Sequence, residues 1–73
     1  MTYAIVIEPT DNGYSAYAPD LPGCVAAADS YEDAEKLIRE AVVFHLESLR
    51  EYGDPVPEPR TGVGSVEVEA AVP

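Results

Sequence analysis

An α+β fold of order βββαβ, one long helix on an antiparallel-rich sheet, is predicted by three observations. Residues 2–8 and 14–18 are short strand-like runs on either side of a turn signal, residues 31–52 carry one unbroken helical period, and residues 64–69 alternate again. The strand runs are too short to stand alone and the helix has one broad apolar stripe, so the economical arrangement is a single helix covering one face of a small sheet.

The first strand follows from alternation. Tyr3, Ile5 and Ile7 fall on one face and Ala4, Val6 and Glu8 on the other, and Pro9 is expected to end the run. Thr10-Asp11-Asn12-Gly13 reads as a hairpin, because Asn and Gly tolerate the left-handed backbone of a tight reversal, and Tyr14–Ala18 is the return strand. The next six residues, Pro19, Asp20, Leu21, Pro22, Gly23 and Cys24, form a corner. Pro22 supplies the fixed φ wanted at the second position of a β-turn, and Gly23 the positive φ that a type II turn demands next. Cys24–Ala28 then reads as a third strand, the weakest of the set because alanine favours strands poorly.

Ser30 is the expected helix N-cap, its hydroxyl placed to accept from the Asp33 amide, while Asp29, Glu32 and Asp33 complement the positive end of the helix dipole. From Tyr31 to about Tyr52, Ala34, Leu37, Ile38, Ala41, Val42, His45, Leu46 and Leu49 fall at helical spacing and predict the buried stripe. Glu32 with Lys36 and Glu35 with Arg39 make favourably ordered i,i+4 pairs, Gly53 is the natural C-cap, and Pro55 bars continuation. A helix of about twenty residues is ~30 Å long, longer than strands of ~17–20 Å, so its last turns overhang the sheet. Val43 and Phe44 lie off the main stripe in that region and, with Glu47 and Glu51, make a candidate interface with a second copy or a partner. The alternative is that the proline-rich tail, residues 54–59, folds back over them. Gly64–Glu69 places Val66 and Val68 on one side and Glu67 and Glu69 on the other, and is expected to be a fourth strand at the sheet edge.

Seventy-three residues make one small domain, residues 1–73, and so short a chain buries little enough surface that a homodimer or higher homo-oligomer is expected. The single cysteine excludes an internal disulfide framework and a multi-cysteine metal site. With no basic leader and no apolar stretch of spanning length, the chain is expected to be cytoplasmic and soluble, with no membrane partner. Four basic against fourteen acidic residues leave a net charge of −10, which disfavours direct nucleic-acid binding. The same field would steer a basic protein partner toward this surface, or would simply keep a small domain soluble.

Little in the chain points to catalysis. A two-metal nuclease needs carboxylates projecting from strand interiors, and residues 4–7, 14–18 and 25–27 contain none. His45 has no nucleophile turn to serve, and Cys24 has no neighbouring cation to lower its pKa. Tyr3, Tyr14 and Tyr17 lack the basic groove that base-stacking surfaces carry, since no Lys or Arg precedes Lys36, and cross-strand packing accounts for them better. Gly62 and Gly64 do not make a phosphate loop. No enzyme activity, cofactor or metal is expected.

The order of Tyr3–Glu8, Gly13-Tyr14, the Pro-Asp-Leu-Pro-Gly-Cys corner, Asp29-Ser30 with Glu32 and Ala34, and Gly53–Pro59 resembles the HicB-like antitoxins over nearly the whole chain. The corner is the specific part. The family commonly has Thr at the position of Ser30. The resemblance implies a reduced RNase H-like core without the nuclease carboxylates. It also implies a domain that binds a small, basic, mRNA-cleaving HicA-like toxin and masks its active site, and that forms dimers or tetramers. Many such antitoxins carry a C-terminal DNA-binding segment for which this chain has no room, so operator binding is not expected of it. A member without a toxin would instead be an orphan homo-oligomeric interaction domain.

Overall fold

The computed structural model describes residues 1–70. Three strands, β1 (Val6–Thr10), β2 (Gly13–Tyr17) and β3 (Val25–Ala28), precede one helix, α1 (Tyr31–Glu51). The sheet is antiparallel throughout, in the order β1-β2-β3, and the α+β class expected from the sequence holds.

The first hairpin differs in detail from the sequence expectation. β1 runs through Pro9 to Thr10, pairing Pro9 with Tyr14 and Thr10 with Gly13, so only Asp11 and Asn12 remain in the loop. Pro9 is tolerated because β1 is an edge strand, where the missing donor faces away from the sheet. The left-handed backbone expected at Asn12 is not adopted, since the only positive φ angles among the described residues belong to Gly23 and Gly53. Gly13 is needed for another reason: a Cβ there would collide with the Ala28 carbonyl oxygen, where the end of β3 crosses close by.

The core lies between the sheet and α1. Ile7, Ala16 and Ala26 stand side by side in the register and face the helix, which contributes the buried Ala34 and Ile38. Leu21 and Ile38 are the largest fully enclosed side chains, and Ala16, Ala18, Cys24 and Ala34 fill the space around them. Small residues on β2 and β3 let the helix approach closely, which is why alanines occupy strand positions that propensity disfavours. Tyr3, Ile5, Ile7, Ala41, Val42 and Leu46 pack around this centre.

Helix α1 starts and stops as its sequence predicts. The Ser30 hydroxyl accepts from the Asp33 N–H at 3.1 Å, with Glu32 and Asp33 in the first turn. At the other end Gly53 adopts φ +71°, its N–H reaches the Arg50 carbonyl at 3.2 Å, and the Asp54 N–H reaches the Leu49 carbonyl at 2.8 Å. That pair of bonds is a Schellman cap, which the positive φ of glycine makes accessible. Glu35 and Arg39 approach to 3.5 Å, and among the described residues no other ion pair closes, Glu32 and Lys36 included.

Two expectations are corrected. Residues 64–69 form no strand: residues 54–70 have no regular structure, and Val66 and Val68 are 83% and 76% exposed. Alternation specifies which side chains share a face, but a strand exists only against an edge that supplies its hydrogen bonds, and within one chain none is engaged. Leu37, expected in the buried stripe, is 42% exposed, because β3 is the last strand on its side and nothing lies beyond it to cover that flank of the helix.

Candidate protein-binding surface

The corner is two β-turns in succession. The Leu21 N–H donates to the Ala18 carbonyl at 3.0 Å, placing Pro19 and Asp20 at the centre of the first turn. The Cys24 N–H donates to the Leu21 carbonyl at 3.0 Å, placing Pro22 and Gly23 at the centre of the second. Gly23 has φ +82°, the positive value a type II turn requires after proline. Between the two turns Leu21 is driven into the core, and the Ala18 N–H closes the unit on the Cys24 carbonyl at 3.1 Å. The Cys24 thiol is buried and its pKa is raised by that burial, which makes it a small hydrophobe rather than a nucleophile.

Asp20 has a task that the sequence did not disclose. Its Oδ2 accepts from the backbone N–H groups of Arg60 and Thr61 at 2.8 and 2.9 Å, and its Oδ1 accepts from the Thr61 hydroxyl at 2.8 Å. The Thr61 N–H, then the Arg60 N–H and the Thr61 hydroxyl, hold the carboxyl below its ordinary value, because each bond favours the ionised form. The Tyr3 hydroxyl donates to the Pro57 carbonyl, so the tail is held at two points while crossing beside Pro19 and Pro22. A carboxylate aimed at two successive amides forty residues away leaves no local signal. Only the Asp in the corner motif and the extended proline run pointed in its direction.

The tail therefore docks on the corner and not on the helix, and it leaves the candidate interface open. Val43 and Phe44 are 56% and 71% exposed. With Arg39, Glu40 and Glu47 they line a shallow depression of about 380 Å³ on the outer face of α1. Their spacing explains the patch: Arg39, Val43, Glu47 and Glu51 follow one another at intervals of four, and Glu40 with Phe44 make the adjacent row. The result is an apolar centre within a mainly acidic border.

The tyrosines part company. Tyr14 meets Tyr31 edge to face, with ring centroids 5.8 Å apart and planes at 87°, tying the second strand to the first residue of the helix. Tyr3 serves the tail and Tyr17 looks out from the opposite face of the sheet, so the expected cross-strand packing among the three is not formed. His45 is half-buried on the helix, and no hydrogen bond or ion pair engages it among the described residues. No helix among the described residues is long and apolar enough to cross a membrane.

Comparison with known proteins gives these features a context. The model of the HicB-like antitoxin of bacterial toxin-antitoxin systems matches residues 3–70. An uncharacterized 14.9 kDa protein of Haemophilus phage HP1 is 38% identical over 58 residues, spanning 80% of this chain and 44% of the phage protein. A UPF0150 protein of Helicobacter pylori strain J99 is 48% identical over 44 residues, spanning 60% of this chain and 61% of that protein. The chain thus spans less than two thirds of the length of these two relatives. A chain of the HicA3 and HicB3 toxin-antitoxin complex superposes with a TM-score of 0.70 at 37% identity, over 82% of this chain and 70% of its own. The HicB3 antitoxin crystal structure gives 0.65 at 37% identity, over 82% of this chain and 44% of its own. With a family model matched from the first strand through the tail and a shared fold at this identity, the chain belongs to the HicB-like antitoxin family.

Proposed function

We propose that this chain is an antitoxin domain that binds a small, basic, mRNA-cleaving toxin of the HicA kind through the outer face of α1, and silences it by covering its active site. The observation that carries the reading is the fold shared with a chain of the HicA3 and HicB3 complex at 37% identity. Two features support the choice of surface. Val43 and Phe44 offer an apolar anchor, and Glu40, Glu47 and Glu51 around them suit a basic partner better than a neutral one. The net charge of −10 acts at longer range, drawing an RNA-binding protein into the place its RNA would occupy.

Occlusion needs no chemistry from the antitoxin. A rigid helix presenting a preformed patch loses little order on binding, and its carboxylates compete with phosphates for the toxin's basic groups. The test is coexpression with a small basic toxin of the HicA kind, any encoded beside this chain first, followed by copurification and a growth assay. Wild type is expected to form a complex and to relieve toxicity. Phe44→Lys with Glu47→Lys is expected to abolish both while leaving the helical circular dichroism unchanged. A complex that survives the double substitution removes α1 as the docking surface, and failure of the wild type to bind or protect removes the antitoxin reading in favour of an orphan interaction domain.

A further inference from the structure

We infer that the exposed side of α1 carries a heptad seam that takes a basic amphipathic helix of a partner, laid along it as in a two-stranded coiled coil. The inference rests on the reading of α1 as a docking face for a basic toxin, and it names the kind of element that docks.

The seam is a line of side chains. Asp33, Leu37, Glu40, Phe44, Glu47 and Glu51 follow one another at intervals of four, three, four, three and four, the spacing that keeps a single line on one side of a helix. All six are exposed. Acidic and apolar residues alternate strictly from Asp33 to Glu47, and Glu51 ends the line where a third apolar residue would fall. A merely solvated face has no use for Leu37 and Phe44 at those positions.

Two depressions follow the line and share Glu40. The first, about 440 Å³, has Leu37 on one wall and the small Ala27 and Ala28 on the other, with Asp29 and Asp33 toward the helix start. The second, about 380 Å³, continues past Val43 and Phe44 to Glu47. One cation lines each of them. Lys36 stands one position off the line beside Leu37, and Arg39 is drawn back to Glu35 at 3.5 Å. Among the described residues no ion pair engages Asp33, Glu40 or Glu47, so the carboxylates of the seam are left for an incoming cation.

The spacing selects the occupant. Leu37 and Phe44 are two turns apart, ~10.5 Å along the axis, and a second helix repeats at that same distance, so its apolar and basic residues meet anchors and carboxylates along the whole line. Same-face side chains of a strand recur every ~6.7 Å and fall out of step. A second copy of this chain is a poor match: in parallel it sets carboxylate against carboxylate, and antiparallel it sets Glu40 and Glu47 against Leu37 and Phe44. A helix with alternating apolar and basic residues fits in either direction. Arginine suits the basic positions better than lysine, because its guanidinium can fork onto a carboxylate and also stack on the Phe44 ring.

The experiment titrates the full chain with two synthetic helical peptides of identical composition, read by calorimetry. In one, about three heptads carry Leu and Arg alternating along a seam; in the other the same residues are shuffled off the heptad spacing. The seam peptide is expected to bind at least roughly tenfold more tightly than the shuffled one. Glu40→Lys with Glu47→Lys is expected to lose that peptide, to accept instead a peptide with Glu in place of Arg, and to keep its helical circular dichroism. Equal affinity for seam and shuffled peptides overturns the inference, since net charge alone then accounts for binding. So does a charge reversal that fails to transfer the preference. In a complex with a HicA-like toxin, hydrogen exchange is expected to show protection of one toxin helix. Protection confined to toxin strands or loops overturns the inference and leaves the antitoxin reading standing, whereas a toxin that does not bind removes that reading and leaves the seam to the peptide result.

Discussion

At the scale of single residues, Asp20 is the most telling. It sits in the motif that marks the family, and its carboxylate holds the tail through the Arg60 and Thr61 amides and the Thr61 hydroxyl. Asp20→Ala is expected to release the tail without disturbing the helix, read as faster tryptic cleavage after Arg60 at unchanged circular dichroism. The pH dependence has a definite sign. The folded pKa lies below the ordinary 3.8, so the tail contact contributes fully above that value and is lost as pH falls through the lower folded value. An acid titration followed at the Thr61 amide should show loss of the contact only below pH 3.8. Gly13 makes the opposite kind of demand, since it must stay small where Ala28 passes. Gly13→Ala is expected to cost about 1–3 kcal/mol in urea unfolding, from steric overlap alone.

At the scale of elements, α1 was the most legible part of the chain because its signals are local. A cap, an acidic first turn, an apolar stripe and a glycine stop all act within a turn of their own residues, and the observed helix begins at Tyr31 and ends one residue from the expected place. Ser30→Ala is expected to lower stability by ~1 kcal/mol through loss of the bond from the Asp33 amide, measured by thermal or urea unfolding. The strands were legible as elements but less so at their ends. β1 starts at Val6 and not Thr2, because its partner strand turns away into the corner after Tyr17. It continues through Pro9 because an edge strand forgives a missing donor. The alternation at 64–69 specifies a face but supplies no partner, so it described a strand this chain does not form by itself.

At the scale of the whole molecule, charge and openness matter most. A basic toxin is expected to associate with this domain at a rate that falls roughly tenfold or more between low and high salt, measured by stopped flow, because the −10 charge steers encounter. If steering is absent and the rate is flat with salt, the acidity serves solubility alone. The sheet covers only part of the helix, which leaves Leu37 beside the β3 edge and Val43 with Phe44 further along α1 exposed. Leu37 and Phe44 share one side of the helix and Glu40 borders both patches, so the two exposed regions adjoin.

What the sequence determined by itself was everything encoded within a few residues: three strands, the Pro22-Gly23 turn of the corner with its left-handed Gly23, and a helix with both of its ends. It also marked Val43, Phe44, Glu47 and Glu51 as a surface in want of a partner. What only the tertiary structure decided was which distant pieces meet. The tail lies on Asp20 and Tyr3 instead of the helix, Tyr14 packs on Tyr31, Gly13 yields to Ala28, and the alternating segment finds no edge in its own chain. The division is physical: caps, turns and stripes are settled by near neighbours along the chain, whereas a long-range contact depends on how closed loops bring remote groups together, and sequence spacing carries no record of that.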